Sequence, residues 1–308
     1  TYAGRYRLDR LVGKSAAMLR VQRQAMLAIE TKARTVVIGP PGSGREHVAR
    51  TIHFAGDAAR APTLMPLACP LLDAELFQSS ITAFARHAAE NPSTRPPTVL
   101  LCDVDQLTEG AQAELAGFLA LPGFELHMLA TSRASLLELA TAGTFRPSLA
   151  YALSTLEIHL PPLSERKQDI PLLVQTFVEE HNVETAEASI DSQRAGFEPA
   201  ALDLLCEHTW DENVDQLRDV IHSACEAAVG SQITCDDLPE EIPTAAKVPT
   251  SSREEEEPIV LDEVLADVEA VMICRVMRLA KGNKTKAAEL LGISRPRLHR
   301  RWEEMDGE

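Results

Sequence analysis

Thr35-Val36-Val37-Ile38 is a short, apolar, β-branched run that stops at Gly39. Pro40, Pro41, Gly42, Ser43 and Gly44 follow, and then a helix-compatible segment opens on Arg45 and Glu46. A strand that ends in a glycine loop and re-emerges as a helix constrains the fold more than any other feature of the chain. Such a loop turns backbone N–H groups inward and aims a helix N-terminus at the same point, which makes a cradle for phosphate. An ordinary Gly-Pro turn explains the glycines, but not the strand before them together with the helix after them. The cation closing the loop is Arg45, where loops of this type usually carry lysine. A planar guanidinium keeps the charge but is bulkier than an ammonium, so phosphate binding is expected to survive better than the geometry around a γ-phosphate.

Two further apolar runs, Thr98 to Cys102 and Leu126 to Thr131, end at Asp103 and Ser132, with amphipathic stretches such as Glu109 to Leu121 between them. Strands alternating with helices at this spacing predict an α/β unit with a parallel sheet and helices on both faces, over 1–160. After Pro161-Pro162 the pattern turns to helices only, at Asp169 to His181, Pro199 to His208 and Asn213 to Val229, which predicts an all-α subdomain over 161–242. Pro243 to Pro258 holds three prolines and four consecutive glutamates without apolar periodicity, so 243–260 reads as a solvated acidic linker.

The last segment, 261–308, differs in charge from everything before it. The chain carries a formal −16, yet nine basic residues against Glu289 alone give Arg275 to Trp302 +8 and leave −24 for the rest. A small cationic module joined to an acidic body points to double-stranded DNA as a partner despite the acidic total. Leu261, Val264, Leu265, Val268, Met272, Val276 and Leu279 fall at helical spacing, and the helix they form ends at Lys281-Gly282. Asn283 can cap a helix running from Lys284 and Thr285 to Leu291, and Gly292-Ile293 makes a tight turn. Ser294 can cap a last helix carrying Arg295, Arg297, Leu298, Arg300 and Arg301. Arg297 and Arg301 share one face, Leu298 and Trp302 another, as a recognition helix in a major groove requires. A merely solvated basic face would not come with the tight-turn spacing.

Composition excludes several classes. The longest charge-free stretch, Ala61 to Leu72, has 12 residues and three prolines, too short and too broken to span a bilayer. Six cysteines never fall at Cys-x-x-Cys spacing, and reduced, buried thiols in a cytoplasmic protein are the simplest reading. His53, His127, His159 and His208 never pair at metal-ligand spacing. The opening Thr1-Tyr2, with neither an initiator methionine nor an apolar signal core, reads as part of a longer chain.

Taken in order, these motifs resemble the AAA+ domain of bacterial enhancer-binding proteins, the activators of sigma-54 RNA polymerase, followed by a Fis-like helix-turn-helix. Leu11 to Met18, with Val12 and Gly13, looks like the lead-in beside the adenine. Gly39 through His53 looks like the phosphate loop and its helix, and Glu46 is usual there. Glu75-Leu76-Phe77, Leu160 to Leu173 and Trp210 to Val214 follow in the family's order, and Gly282 to Arg295 resembles the Fis-like bihelical motif. The resemblance implies ATP and magnesium as ligands, RNA polymerase and DNA as partners, and self-association, either as a dimer through the 261–279 helix or as a higher ring.

The departures fall on the chemistry. The sigma-contacting GAFTGA loop reads Thr82-Ala83-Phe84-Ala85-Arg86-His87, without either glycine or the threonine, which argues against sigma-54 contact. Of the two strand-end carboxylates that hold magnesium and polarise water, the first is Cys102 and only Asp103 remains. The γ-phosphate-sensing asparagine is Ser132. One trans-acting arginine remains as Arg146, the other being Ala152, and the lid arginine is Asp215, a reversal of sign. Hydrolysis is therefore expected to be absent or vestigial in a DNA-binding regulator. The rival reading is an active ATPase that remodels sigma-54 polymerase.

Overall fold

A computed structural model of the chain describes residues 6–55, 63–90, 96–124, 126–185, 194–240 and 242. All of them fall in one compact unit, Thr1–Ala246. The acidic linker and the helix-turn-helix expected over 243–308 lie outside the described residues.

The expected parallel sheet is present, with five strands rather than three. Strands β1 (Thr35–Ile38), β2 (Leu64–Ala68), β3 (Thr98–Cys102), β4 (His127–Ser132) and β5 (Leu156–His159) lie in the order β2-β3-β4-β1-β5. Every neighbouring pair runs parallel, and β1 is held between β4 (Val36 opposite Ala130) and β5 (Val36 opposite Glu157). Side chains alternate between faces, so each central strand feeds two cores. Val36, Val99, Leu101, Met128 and Ala130 face the core that helices α3 (Ala74–Glu90), α4 (Glu109–Ala120) and α6 (Pro147–Leu153) cover with Phe77, Ile81, Leu115 and Leu149. Val37, Leu100, Leu129 and Ile158 face α1 (Ala16–Thr31) and α2 (Arg45–Phe54) through Val21, Ala25, Val48 and Ile52. A short helix, α5 (Leu136–Thr141), lies between β4 and α6.

Beyond Pro162, helices α7 (Ile170–Thr185), α8 (Pro199–Glu207) and α9 (Asn213–Ala227) close around Trp210, which is 1% exposed and donates its indole N–H to Leu205 O at 2.8 Å. The expectation of helices only needs correction here. Strands β6 (Gly196–Phe197) and β7 (Gln232–Ile233) form a small parallel pair in the lid. Arg194 fastens them by donating to the carbonyls of Cys225, Ala228 and Gly230 at the end of α9.

Candidate functional site

Between β1 and α2, Gly42 (φ 70°) and Gly44 (φ 95°) take the left-handed conformation that lets the loop curl around a ligand. Gly39 ties the loop to the sheet by donating its N–H to Ser132 O at 3.1 Å, and Ser43 N donates to Pro40 O across the turn. The lid rests directly on this loop. Val214 and Asp215 donate their backbone N–H groups to Gly42 O at 2.9 and 3.2 Å, so a loop carbonyl caps α9. Asn213, 4% exposed, donates to Pro41 O at 2.9 Å and accepts from Leu163 N at 2.8 Å, which holds loop and lid together.

Two residues from the start of the lid complete the frame. Asp169 is fully buried and accepts from Lys14 N (2.7 Å), Ser15 N (2.8 Å) and Ser15 Oγ (2.6 Å), while Ser15 caps α1 through Met18 N. Arg166, 3% exposed, donates to Ser43 O at 2.8 Å. Burial pushes its guanidinium below the usual arginine range, and the Asp169 carboxylate opposes that shift.

These contacts enclose a cavity of about 490 Å³, well within the size range of small-molecule sites. Its lining combines the apolar side chains of Leu11, Val12, Leu160, Phe177 and Val214 with the phosphate loop. Of the residues expected from sequence, Val12, Gly42, Ser43, Gly44, Arg45, Glu46, Asp103 and Asp215 line it. Gly13, Gly39, Pro40 and Pro41 do not line it.

In this lining Arg45 Nη2 lies 2.8 Å from Asp103 Oδ1, with Arg45 9% and Asp103 34% exposed. Asp103 sits at φ 54° and donates its backbone N–H to Thr131 Oγ1 at 2.9 Å, which fixes its position at the end of β3. Burial, with Glu46 next to it, pushes the Cys102 thiol up to about 12, so it is a neutral group. Glu46 in turn pairs with Arg50 at 3.1 Å. These residues fit magnesium poorly. Magnesium takes hard oxygen ligands, and here one strand-end position offers a neutral thiol while the other carboxylate is already held by a guanidinium. Among the described residues no cluster of three His, Cys, Asp or Glu side chains could hold a metal ion.

Three expected chemical positions do not converge on the cavity. Cys102, in contact with Glu46, does not line it. Ser132 is fully buried and turns away to donate to Ala134 O at 2.6 Å, leaving Thr131 to face the site. Arg146 is exposed and starts α6, its backbone N–H bonded to Gln112 Oε1. Thr82 to His87, matched above to a contacting loop, lie inside the continuous helix α3, with Ile81 fully buried and Phe84 8% exposed. The eight expected DNA-binding residues, from Lys284 to Arg301, lie outside the described residues.

Four lining arginines, Arg10, Arg50, Arg166 and Arg218, are not among the residues expected from sequence. Arg166 was passed over inside the Leu160 to Leu173 signature. Arg218 lies three residues beyond Asp215 and pairs with it at 3.2 Å, its guanidinium stacked 5.1 Å from the centre of the Phe177 ring. Burial raises the Asp215 carboxyl above the usual range, and Asp219 and Glu46 add to the rise against the pull of Arg218. A basic residue one turn after an unexpected acid on the same helix face was the available signal.

The sequence matches three family models in succession: the Sigma-54 interaction domain over residues 12–163, the AAA+ ATPase lid domain over 164–255, and the Fis family of bacterial regulatory proteins over 264–305. The chain belongs to the bacterial enhancer-binding proteins. Relatives of this enhancer-binding protein include the transcriptional regulatory protein ZraR of Escherichia coli K12, 27% identical over 308 residues, with 94% of this chain and 67% of that protein covered. The regulatory protein AtoC of the same strain is 28% identical, with 94% of this chain and 66% of AtoC covered. The chain thus spans about two thirds of the length of these relatives. Among solved structures, NtrX of Brucella abortus in complex with ATP superposes with a TM-score of 0.60 at 24% identity, covering 95% of this chain and 68% of that one, a likeness of fold.

Proposed function

We propose that this enhancer-binding protein is a DNA-binding transcriptional regulator whose AAA+ module holds a nucleoside phosphate and turns it over slowly or not at all. What carries the reading is the layout of the cavity: the phosphate loop and lid close a pocket, while Cys102, Ser132 and Arg146 stand outside it. Each such catalytic element is worth orders of magnitude in turnover; an arginine finger alone contributes about 10³ to 10⁵. A pocket that has lost several keeps binding and loses chemistry.

The Fis-type match and the +8 segment support DNA as the partner, with Arg295, Arg297, Arg300 and Arg301 on the reading helix. The 261–279 stripe supports a dimer that spans a palindromic site, and with DNA as its target the protein works in the cytoplasm. The helical course of Thr82 to His87 speaks against a sigma-54-contacting loop at that place, and RNA polymerase is engaged, if at all, through another surface.

The test is ATP turnover by the full chain with magnesium and DNA, beside a Cys102→Asp/Arg45→Lys variant. No turnover by the unmodified chain with DNA binding intact is the expected result. Clear turnover would replace this reading with that of an active ATPase that remodels sigma-54 polymerase. Arg297→Ala should cost about 1 to 3 kcal/mol at one base position, and binding should weaken steeply with salt. A flat salt response would sink the DNA assignment.

A further inference from the structure

We infer that this site takes its nucleoside polyphosphate without a divalent cation, the Arg45 guanidinium occupying the role that a metal ion plays between a strand-end carboxylate and phosphate oxygens. The inference rests on the nucleotide reading above and deepens it.

In a metal-dependent site a carboxylate and a phosphate are held together by the positive ion between them. Here Asp103 Oδ1 is met at 2.8 Å by Nη2 of Arg45, a side chain about nine-tenths buried on the first turn of α2; the contact is an ion pair without hydrogen-bond alignment, and Oδ1 has no hydrogen-bond partner. The other terminal nitrogen, Arg45 Nη1, is buried and has no hydrogen-bond partner. A guanidinium is a planar fork, so one nitrogen can satisfy a carboxylate while its neighbour donates to a phosphate oxygen, which a lysine ammonium in the same loop would do only as a point charge.

Other unpartnered donors lie around the same cavity. Ser43 Oγ in the loop, Arg166 Nε at the start of the lid and Arg218 Nε on α9 are each buried without a partner, and all three residues line the pocket. Buried donors left unpaired are costly, so a cluster of them is explained by an acceptor-rich ligand. Among the described residues that line the cavity, four of the five unpartnered buried atoms are donors (Arg45 Nη1, Ser43 Oγ, Arg166 Nε and Arg218 Nε) against one acceptor, Asp103 Oδ1, and an anion with many oxygens meets that majority. Cys102 removes the other hard ligand, since a half-buried neutral thiol offers magnesium nothing.

The role of Arg45 distinguishes this from a damaged metal site. If Arg45 were a tolerated substitution, freeing Asp103 would change little. If the pair replaces the metal, Arg45→Lys releases the Asp103 carboxylate and makes affinity depend on magnesium.

The experiment is titration of the full chain with fluorescently tagged ADP and ATP, in excess magnesium and in excess EDTA, with Arg45→Lys run in parallel. The expected result is a Kd that agrees within about threefold with and without metal for the unmodified chain, and magnesium-strengthened binding by the variant. Tightening by magnesium of about tenfold or more in the unmodified chain would overturn the inference while leaving the nucleotide reading in place. Binding in neither condition would remove the nucleotide reading and this inference with it. The comparison on the unmodified chain needs no variant to fold, so a poorly folded Arg45→Lys leaves the decision intact.

Discussion

Gly42 and Gly44 are two residues apart in one loop, both with positive φ, and nothing in the sequence separates them. Their surroundings do. A Cβ built on Gly44 (φ 95°) meets nothing within 4 Å, so Gly44→Ala should cost only the left-handed backbone penalty, about 1 to 2 kcal/mol. A Cβ on Gly42 (φ 70°) falls 2.0 Å from Glu212 O and 2.9 Å from Glu212 C. The Glu212 carbonyl must retreat by about 1 Å before the contact is tolerable, and Glu212 leads straight into α9. Such a shift stretches the Val214 and Asp215 bonds to Gly42 O, at 2.9 and 3.2 Å, past hydrogen-bonding range, and loosens Asn213 from Pro41 O. At about 0.5 to 1.5 kcal/mol for each of these three bonds, Gly42→Ala should exceed Gly44→Ala by about 1.5 to 4.5 kcal/mol. Urea unfolding in a Trp302→Phe background measures this, because Trp210, buried in the lid three residues before Asn213, is then the only indole. A lid that releases early would also show a fluorescence transition ahead of the circular-dichroism transition in Gly42→Ala alone. Equal destabilisation by the two alanines, within about 0.5 kcal/mol, would refute the claim that the loop carries the lid on its backbone.

Asp169→Ala strips a buried acceptor from three donors around Ser15 and should cost about 3 to 5 kcal/mol in the same unfolding experiment; a loss below about 1 kcal/mol would mean water replaces the carboxylate without penalty. Arg218→Ala should weaken tagged-nucleotide binding about tenfold or more, while an unchanged Kd would take Arg218 out of the site. His181 is 5% exposed on α7, and burial, then the His222 ring 4.9 Å away, holds its imidazole below the ordinary 6.5; Arg194 adds to the fall, while Glu226 and Glu184 oppose it. Folding therefore favours its neutral form, and the associated stability is complete above pH 6.5 and lost as pH falls below that value. The melting temperature should decline on acidification from neutral, and His181→Gln should flatten the decline; an unaltered slope would exclude His181 as its source.

The central sheet was legible because strands buried on both faces must be apolar throughout, as Thr35 to Ile38 and Thr98 to Cys102 are. The two edge strands were not. Leu64 to Ala68 carries Pro66 and follows Pro62, which reads as a break, yet at an edge one side of the ladder needs no donor. Leu156 to His159 alternates with Glu157 and His159, partly exposed on its outer side, and so lacks the continuous apolar signal. Two-residue strands such as Gly196–Phe197 fall below any periodicity. Within the site, the phosphate loop could be read because its conformation is encoded in neighbouring residues. Arg166 could not, since it meets Ser43 O only across 123 positions of sequence, and Arg218 was legible only through its spacing from Asp215.

The same distance explains why the substitutions look independent in sequence and are not independent in the fold. Arginine for lysine at 45 and cysteine for a carboxylate at 102 are two separate losses when read along the chain. Folded, they fall around one carboxylate: Arg45 pairs with Asp103, and the cysteine removes the neighbour that would have drawn a metal back. Likewise Asp215 alone reverses the sign of the lid, but Arg218 returns a cation to the same cavity from one turn further along α9. Positive charge around the cavity is thus retained, as a guanidinium in place of an ammonium at position 45 and as an arginine moved three positions along α9 in the lid. Guanidinium groups neutralise and orient phosphate oxygens, yet they do not lower the pKa of a bound water as a metal does. The proposed function, phosphate binding with little or no hydrolysis, is what such an exchange predicts.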